Sequence, residues 1–493
     1  MSPSVEPFNE AKYKALMDGL NCNEIQYSKL FPNNTIFRLD SEFFSREAIA
    51  IDNKIKAMPC FYLKPQEVVS GPFGSSLKSE SYLDKGDVPF VRIENIRGGF
   101  DINMDNIIYI SNADNDRIKN SQLKTNDIVL SKVGNSIGFF ARVDESIKVC
   151  NISENNIGIK LSAYSEEEKH YILAYLNCLY AQKLVLRRTS GNAQPKLNVG
   201  DLCYIPIPKF TDNFYKTISE CILNSKDLIL KSRKVYHDAE NTLTETMGLD
   251  CLNQITPNAT TKSISVSFRA CGRLDAEYYH PKYDVLFDVL SKQKTAVLSG
   301  DEGLVSIKKS FEPGSEAYLE EGIPFIRVSD VDKYEISTPP IMLSKDIVPN
   351  IEDLYPKKDT ILLSKDGSIG IAYKLEKDME AVTSGALLHL TVRDSSVVLP
   401  DYLTLVLNSP IVQLQAERDC NGAIIQHWKP SDIEKVLIPI LDMSVQQEIA
   451  SKVQESFRLR EESKRLLDLA VKTVEMAIET DETSALLWLE LQK

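Results

Sequence analysis

Apolar positions along this chain follow two rhythms, and each rhythm occurs twice. Over residues 210–247 the side chains Phe214, Ile218, Cys221, Ser225, Leu228, Ser232, Val235 and Ala239 recur at alternating steps of four and three. That heptad-like spacing puts small and apolar groups on one stripe and predicts a long helix with one buried face. Residues 443–479 repeat the pattern with more drift. Val445, Ile449, Leu459, Leu466, Ala470 and Ala477 fit, Lys452 and Thr473 interrupt, and Val453 and Val474 sit beside them. The drift points to a spacing nearer 3.6 than 3.5. Two such stripes are most simply buried against each other.

Before each predicted helix the texture is mixed. Short β-rich runs such as IIYI, IVLS, FFARV and IKVC read as strands separated by turns. Glu166–Leu186 reads as a helix, with Ile172, Tyr175, Leu176, Leu179 and Leu184 apolar, and Asp401–Glu417 is its counterpart.

That counterpart belongs to a whole-domain duplication. Arg38-Leu39-Asp40-Ser41-Glu42-Phe43-Phe44 returns as Arg273-Leu274-Asp275-Ala276-Glu277-Tyr278-Tyr279, and Val88-Pro89-Phe90-Val91-Arg92-Ile93 as Ile323-Pro324-Phe325-Ile326-Arg327-Val328, both at an offset of 235. Ile128–Lys132 returns as Ile361–Lys365 at 233, Ser136-Ile137-Gly138 as Ser368-Ile369-Gly370 at 232, Leu176-Asn177 as Leu407-Asn408 at 231, and Ile205-Pro206-Ile207 as Ile438-Pro439-Ile440 at 233. Six matches in one order at nearly one offset indicate duplication, and the period is far too long for a solenoid. Gly19-Leu20-Asn21-Cys22 also resembles Gly248-Leu249-Asp250-Cys251, so residues 8–18 read as a remnant of the central helix's end.

The expected organisation is a helix stub (1–22), a first domain (23–209), a central helix (210–250), a second domain (251–440), a C-terminal helix (441–480) and an acidic tail (481–493). The fold class is α/β of the mixed α+β kind. Two duplicated domains are joined and spaced by two long antiparallel helices with pseudo-twofold symmetry. The tail DETSALLWLELQK is suited either to capping the core or to docking a partner.

Composition narrows the function classes. With 493 residues, 43% hydrophobic and 26% charged, the chain can build ordinary packed cores. A net charge of −13 argues against a generally basic nucleic-acid coat. No apolar run is long enough for a membrane helix, and MSPSVEPFNEAKYK lacks a secretory pattern. Nine scattered cysteines without a CxxC pair suggest neither zinc nor a disulfide framework; a reduced, cytoplasmic protein is the simplest expectation. The charge is uneven. Residues 51–210 carry 20 Lys+Arg against 18 Asp+Glu, whereas 271–440 carry 18 against 27, a balance of −9.

Catalytic motifs are missing. Gly71–Ser79, which contains Lys78, lacks the glycine before lysine of a phosphate loop, and Thr338-Pro339-Pro340-Ile341 has neither end of an adenine-methyltransferase motif. HExxH is absent, and none of His170, His237, His280, His389 and His427 has metal-ligand spacing to another. Glu167-x-Lys169 and Glu462-x-Lys464 match a nuclease fragment but fall in charged helical surface. No metal site and no catalytic residue is expected.

Two repeated loops carry the chemistry instead. Lys132-Val133-Gly134-Asn135-Ser136-Ile137-Gly138 and Lys365-Asp366-Gly367-Ser368-Ile369-Gly370 each follow a strand. A two-glycine turn can bring backbone N–H groups and a lysine to a phosphate. The second loop holds Arg187, Arg188, Asn192, Gln194 and Lys196 in the first copy and Asn421, Gln426, His427 and Lys429 in the second. Asn and Gln can pair with adenine, and Arg or Lys with guanine. Arg92 and Arg97 follow the VPFVRI strand, and Arg327 and Lys333 follow its partner. Arg38 and Arg273, with acids beside them, suit structural salt bridges, and Phe43, Phe44, Tyr278 and Tyr279 suit the core.

The arrangement resembles the specificity (S) subunits of type I restriction-modification systems over nearly the whole chain. The resemblance rests on the duplicated [VI]-P-F-[VI]-R-[IV] segment, the strand–lysine–two-glycine turn, the glutamine-containing loop before an I-P strand, the R-L-D-[SA]-E-aromatic box and a long helix after each copy. It implies that each copy is a target-recognition domain reading one half of a bipartite, asymmetric double-stranded DNA target, and that the helices form an antiparallel spacer. It also implies docking of two methyltransferase (modification) subunits, which would carry S-adenosylmethionine; this chain would hold no cofactor of its own. Two motor-nuclease (restriction) subunits could join for cleavage, and no membrane is involved. A 38-residue helix is about 57 Å long, enough to separate two readers by one or more turns of DNA. A second reading stays open: a protein-interaction adaptor on the same scaffold, a regulatory orphan in another defence system. The −9 balance of the second copy favours the adaptor, and the repeated Gly-Lys turns favour the DNA reader.

Overall fold

Residues 128–131, Ile-Val-Leu-Ser, are wholly buried, and an antiparallel four-stranded sheet is built around them. The sheet order is Val68–Ser70, Asn156–Ile159, Ile128–Ser131, Phe140–Arg142. In the second copy the order is Val305–Lys309, Leu387–Val392, Ile361–Ser364, Ala372–Lys374, again antiparallel throughout. The computed structural model describes all residues except 1–7, 19–23, 31–37, 75, 97–99, 105, 135–136, 192–194, 254–258, 338, 340, 348–349, 421–425 and 493.

Each copy adds a second sheet whose key strand is the duplicated Pro-Phe segment. Val88–Val91 pairs antiparallel with Ile108–Ile110 and parallel with Val149–Ile152; Ile323–Ile326 pairs antiparallel with Met342–Leu343 and parallel with Val382–Thr383. A two-stranded ribbon ties the start of each copy to its end: Cys60–Phe61 with Ile207–Pro208, and Thr295–Val297 with Leu437–Pro439. The fold is therefore mixed α/β and duplicated, as the sequence predicts.

The expected helix Glu166–Leu186 is two helices, Glu166–Leu176 and Leu179–Arg187, and its counterpart is Pro400–Asn408 followed by Pro410–Asp419. Proline at 410 has no N–H to continue the helix. In the first copy, which has no proline there, side chains stabilise the break. Asn177 Nδ2 donates to Leu173 O (3.0 Å) and Phe140 O (3.1 Å), and Gln182 Nε2 donates to Leu176 O (2.6 Å). Ser165 and Glu168 form a capping box at the first helix's start, with three glutamates in the turn where the helix dipole favours them.

The chain divides into two compact units: residues 1–226 with 463–493, and residues 227–462. The long helices, Asp212–Met247 and Met443–Glu479, each contribute to both. In the first unit Phe214, Ile218, Cys221 and Ile222 are buried with Ala470, Val474 and Ala477, and Ser225 Oγ lies 2.7 Å from Ser463 Oγ. In the second, Tyr236, Ala239 and Leu243 are buried with Ile449 and Val453, and Ser232 Oγ lies 2.9 Å from Ser456 Oγ. Residue numbers rise on one helix as they fall on the other, so the helices are antiparallel within each unit. The predicted stripe is correct except at Leu228 and Val235, which are half-buried, while Ile222 and Tyr236 carry the burial. The tail forms the helix Glu482–Gln492 and buries Ala485 and Leu489 in the first unit's core, so it caps that core. The stub forms the helix Glu10–Met17, which has no buried residue; its proposed match at 19–22 lies outside the described residues.

Candidate nucleic-acid interface

The two loops singled out separately in the sequence meet in the fold, and they do so in both copies. Gly134 N donates to Pro195 O (3.1 Å) and Leu197 N to Lys132 O (2.9 Å). In the second copy Gly367 N donates to Gln426 O (3.0 Å) and Trp428 N to Lys365 O (2.8 Å). Isolated bridges Val133–Lys196 and Asp366–His427 complete the pairing. Each two-glycine turn thus lies antiparallel to the last residues of the second loop, directly after the central strand of the buried sheet.

The second glycine of each turn has a structural reason. Gly138 and Gly370 have φ of +93° and +77°, in the left-handed region. A Cβ would also lie 2.5 Å from Gln182 Oε1 in one copy and 2.7 Å from Gln413 Nε2 in the other. Those glutamines clamp the turns: Gln182 Nε2 donates to Gly138 O (2.6 Å) and Gln413 Nε2 to Gly370 O (2.7 Å). The clamp was not singled out from sequence, although Gln182 and Gln413 share the offset of 231 seen for Leu176-Asn177.

Other candidates gather around this platform. Lys132 Nζ lies 3.0 Å from Ser70 Oγ, and Lys132 N donates to Asn155 O (3.0 Å). Burial lowers the Lys132 pKa, and neighbouring Lys196 lowers it further, while Glu154 opposes them. Lys196 is exposed. Arg92 lines a cleft of about 250 Å³ with Phe73, Tyr82, Glu94, Glu154 and Asn155, and its guanidinium pairs with Glu94. Lys78 stands exposed beside Leu77, another lining residue. Arg327 pairs with Asp330 at 3.5 Å. In both copies the arginine's N–H is capped, by Asn95 Oδ1 or by Asp330 Oδ2 (2.9 Å each). Ser368, Gln426, His427 and Lys429 are exposed; Lys365 is half-buried against Asp366. Arg97, Asn135, Ser136, Asn192, Gln194 and Asn421 lie outside the described residues.

Three candidates are corrected by their surroundings. Arg187 Nε donates to Phe43 O (2.5 Å), and its guanidinium also pairs with Asp52 (3.5 Å). Arg188 is buried, paired with Asp201 (3.8 Å) and placed over the Tyr204 ring. Lys333 Nζ pairs with Glu240 of the central helix (3.2 Å) and sits over Tyr236 and Tyr334. These cations hold the domain to itself, and sequence cannot separate such a role from DNA contact because both require a flanking cation. Arg38 and Arg273 bond Asp40 (2.6 Å) and Asp275 (2.9 Å), the structural role expected of them. Among the described residues no acid–histidine–cysteine group could hold a metal ion, and no helix is long and apolar enough to cross a membrane.

Comparison with known proteins assigns this platform to a class. Residues 302–467 match the family described as the type I restriction modification DNA specificity domain. The EcoBI type I restriction enzyme specificity subunit of Escherichia coli is 21% identical over 164 residues, which is 33% of this chain and 34% of that protein. The match thus spans about a third of that relative's length. Among solved structures, a type I restriction-modification S subunit from M. genitalium is 15% identical, with 85% of this chain and 95% of that one covered and a TM-score of 0.35. The HsdS subunit of Thermoanaerobacter tengcongensis is 14% identical, covers 87% and 96%, and has a TM-score of 0.26. The second copy therefore matches a DNA specificity domain over residues 302–467, and the first copy repeats its sheets, ribbon and turn–loop platform. The chain is thus similar, over about a third of its length, to the specificity subunits of type I restriction-modification systems.

Proposed function

We propose that each copy reads one half of a bipartite double-stranded DNA target through its turn–loop platform, and that the long helices fix the spacing and dock two methyltransferase subunits. The observation that carries this reading is the union of turn and loop in both copies, with a lysine at the same point of each. A lysine on each turn suits the phosphate backbone, which sets register on the duplex; the exposed loop side chains suit base edges. In this reading the chain is non-catalytic. S-adenosylmethionine belongs to the methyltransferase partner, and motor-nuclease subunits join that assembly for cleavage. In this reading residues 23–209 and 251–440 are the two readers. The alternative, an adaptor without DNA contact, is favoured only by the acidic balance of the second copy.

The test is to co-express the chain with its cognate methyltransferase and map modified adenines in host DNA. A two-part motif that disappears when this chain is deleted is expected. A stable complex that leaves no new motif would reject the reading in favour of the adaptor.

A further inference from the structure

The paired bridges set the two platforms in residue-by-residue correspondence. Lys132 corresponds to Lys365, Val133 to Asp366 and Lys196 to His427. Two of these positions keep a cation or a group that can become one. The middle position does not: it is apolar in the first copy and a carboxylate in the second.

In the second copy Asp366 sits between the other two. Its Oδ1 accepts from His427 Nδ1 at 2.8 Å, and its Oδ2 accepts from Lys365 Nζ. Both neighbours, together with burial, act on this carboxylate, and the balance holds its pKa below the ordinary aspartate value. The second copy is thus internally neutralised at this point. In the first copy, among the described residues, neither Lys132 nor Lys196 lies within ion-pair distance of a carboxylate. The acid that acts on Lys132 is Glu154, whose Oε2 accepts from Gly74 N at 2.7 Å. Two like charges therefore act on each other across the bridge, Lys132 half-buried on the turn and Lys196 exposed on the loop that faces it. An anion placed between them would relieve both their repulsion and the desolvation of Lys132.

We propose that Asp366 is a built-in stand-in for a DNA phosphate: the Lys132–Lys196 pair of the first copy takes a backbone phosphate oxygen, and the equivalent pair of the second copy is occupied by the protein's own carboxylate. This rests on the DNA reading above and deepens it. The two platforms then divide the work. The first anchors by charge and releases counterions on binding. The second presents the exposed edge of His427, already oriented through its other nitrogen, and contributes little salt-dependent affinity.

The test exchanges the middle residue. The full chain is titrated with a short random-sequence duplex at several NaCl concentrations, comparing wild type, Val133→Asp and Asp366→Val. Val133→Asp should weaken binding and reduce the slope of log affinity against log salt by about one. Over a fourfold rise in salt, wild type should then lose roughly threefold more affinity than the variant. Asp366→Val should strengthen binding and steepen the slope by a similar amount. Val133→Asn separates charge from shape and should keep the wild-type slope. Unchanged slopes in both Val133→Asp and Asp366→Val, with DNA still bound, would overturn the stand-in. A Val133→Asn chain as impaired as Val133→Asp would also overturn it, since turn shape would then explain the loss. A wild-type chain with no salt-dependent affinity for duplex would instead overturn the DNA reading itself.

Discussion

The two copies solve one buried-charge problem in opposite ways. In each four-stranded sheet built around the buried strand, a cation on the last strand reaches the first helix of the pair. In the first copy Arg142 Nη1 lies 2.7 Å from His170 Nε2, and His170 Nδ1 lies 2.7 Å from Ser219 Oγ on the central helix. In the second, Lys374 replaces the arginine and Asp401 the histidine, 3.1 Å apart, and Asp401 accepts from Gln454 of the C-terminal helix at 2.8 Å. The frame around them keeps its geometry, although an amide in the first copy stands where the second has a carboxylate. Asn126 and Asp359, with φ of +64° and +63°, face the two cations at 3.5 Å, and Tyr171 and Tyr402 donate to Pro208 O and Pro439 O at 2.7 and 2.8 Å. The fold therefore specifies a polar link between each copy's sheet and a long helix, and leaves its chemistry free: the cation's partner on the helix pair is a neutral imidazole in one copy and a carboxylate in the other, while Arg142 also pairs with the half-exposed Asp101 at 2.6 Å.

The largest expected effect follows from that difference. Lys374→Met leaves Asp401 buried without its cation, and removing one partner of a buried pair typically costs about 3–5 kcal/mol. Arg142→Met leaves only the neutral His170 and the half-exposed Asp101 behind, a loss of about 1–3 kcal/mol. The tryptophans separate the units. Trp428 is buried in the second unit's core and Trp488 packs on the first, so Trp→Phe at one leaves the other as reporter. Denaturant unfolding followed by Trp428 for Lys374→Met, and by Trp488 for Arg142→Met, should rank the two in that order. Equal losses would break the comparison.

A second effect, of about 3 kcal/mol, concerns acid. Burial first, then the Arg142 charge, lowers the His170 pKa from 6.5 to about 4. The unfolded chain binds this proton at higher pH than the folded one does. The contribution is therefore fully present above pH 6.5 and is lost as pH falls toward 4. His389, buried with Nε2 2.7 Å from Thr383 Oγ1, is also lowered to about 4, chiefly by burial. Each unit thus contains one acid-sensitive imidazole, but only in the first does it face a guanidinium. His170→Gln, which can still accept from Arg142 and donate to Ser219, should flatten the pH dependence reported by Trp488 between pH 6.5 and 4 and leave that of Trp428 unchanged. A Trp488 transition that keeps the wild-type pH slope would show that His170 does not carry the acid response.

What could be read in the sequence follows from the same contrast. The duplication was legible because the shared frame rests on residues of fixed type: the Pro-Phe strand, the two-glycine turn, Leu-Asn at the helix break. Glycines 138 and 370 have no substitute at positive φ against a clamping glutamine, so they persist as a pattern. The long helices were legible because a one-sided stripe needs no knowledge of its partner. Contacts that join distant segments were not legible. Arg188 and Lys196 stand in one basic loop, yet one is buried on Asp201 and the other exposed beside Lys132. Their difference depends on a strand and a turn more than fifty residues away in one case and on a neighbouring helical turn in the other, and linear spacing records neither. The exchange of Val133 for Asp366 was visible as letters, but it acquires meaning only once Lys196 and His427 are known to lie opposite.

The smallest effect concerns the long helices, where the copies agree. Each unit places one buried serine pair between them, Ser225 with Ser463 and Ser232 with Ser456. Serine is small enough for the helix backbones to approach, and each hydroxyl satisfies the other. In the second pair Ser456 Oγ also donates to Ser232 O at 3.0 Å, a bond that survives the loss of the Ser232 side chain. Ser225→Ala and Ser232→Ala should each cost about 1 kcal/mol by leaving a buried hydroxyl short of a partner, with Ser232→Ala the milder. Replacing both members of a pair by alanine removes the unsatisfied group and should recover most of that loss. Double replacements that cost the sum of the singles would mean that the hydroxyls act separately, each through its own helix backbone. Recovery in one unit but not the other would show that the two ends of the helix pair are not equivalent, and would extend the asymmetry of the buried cations to the one feature the copies share most closely.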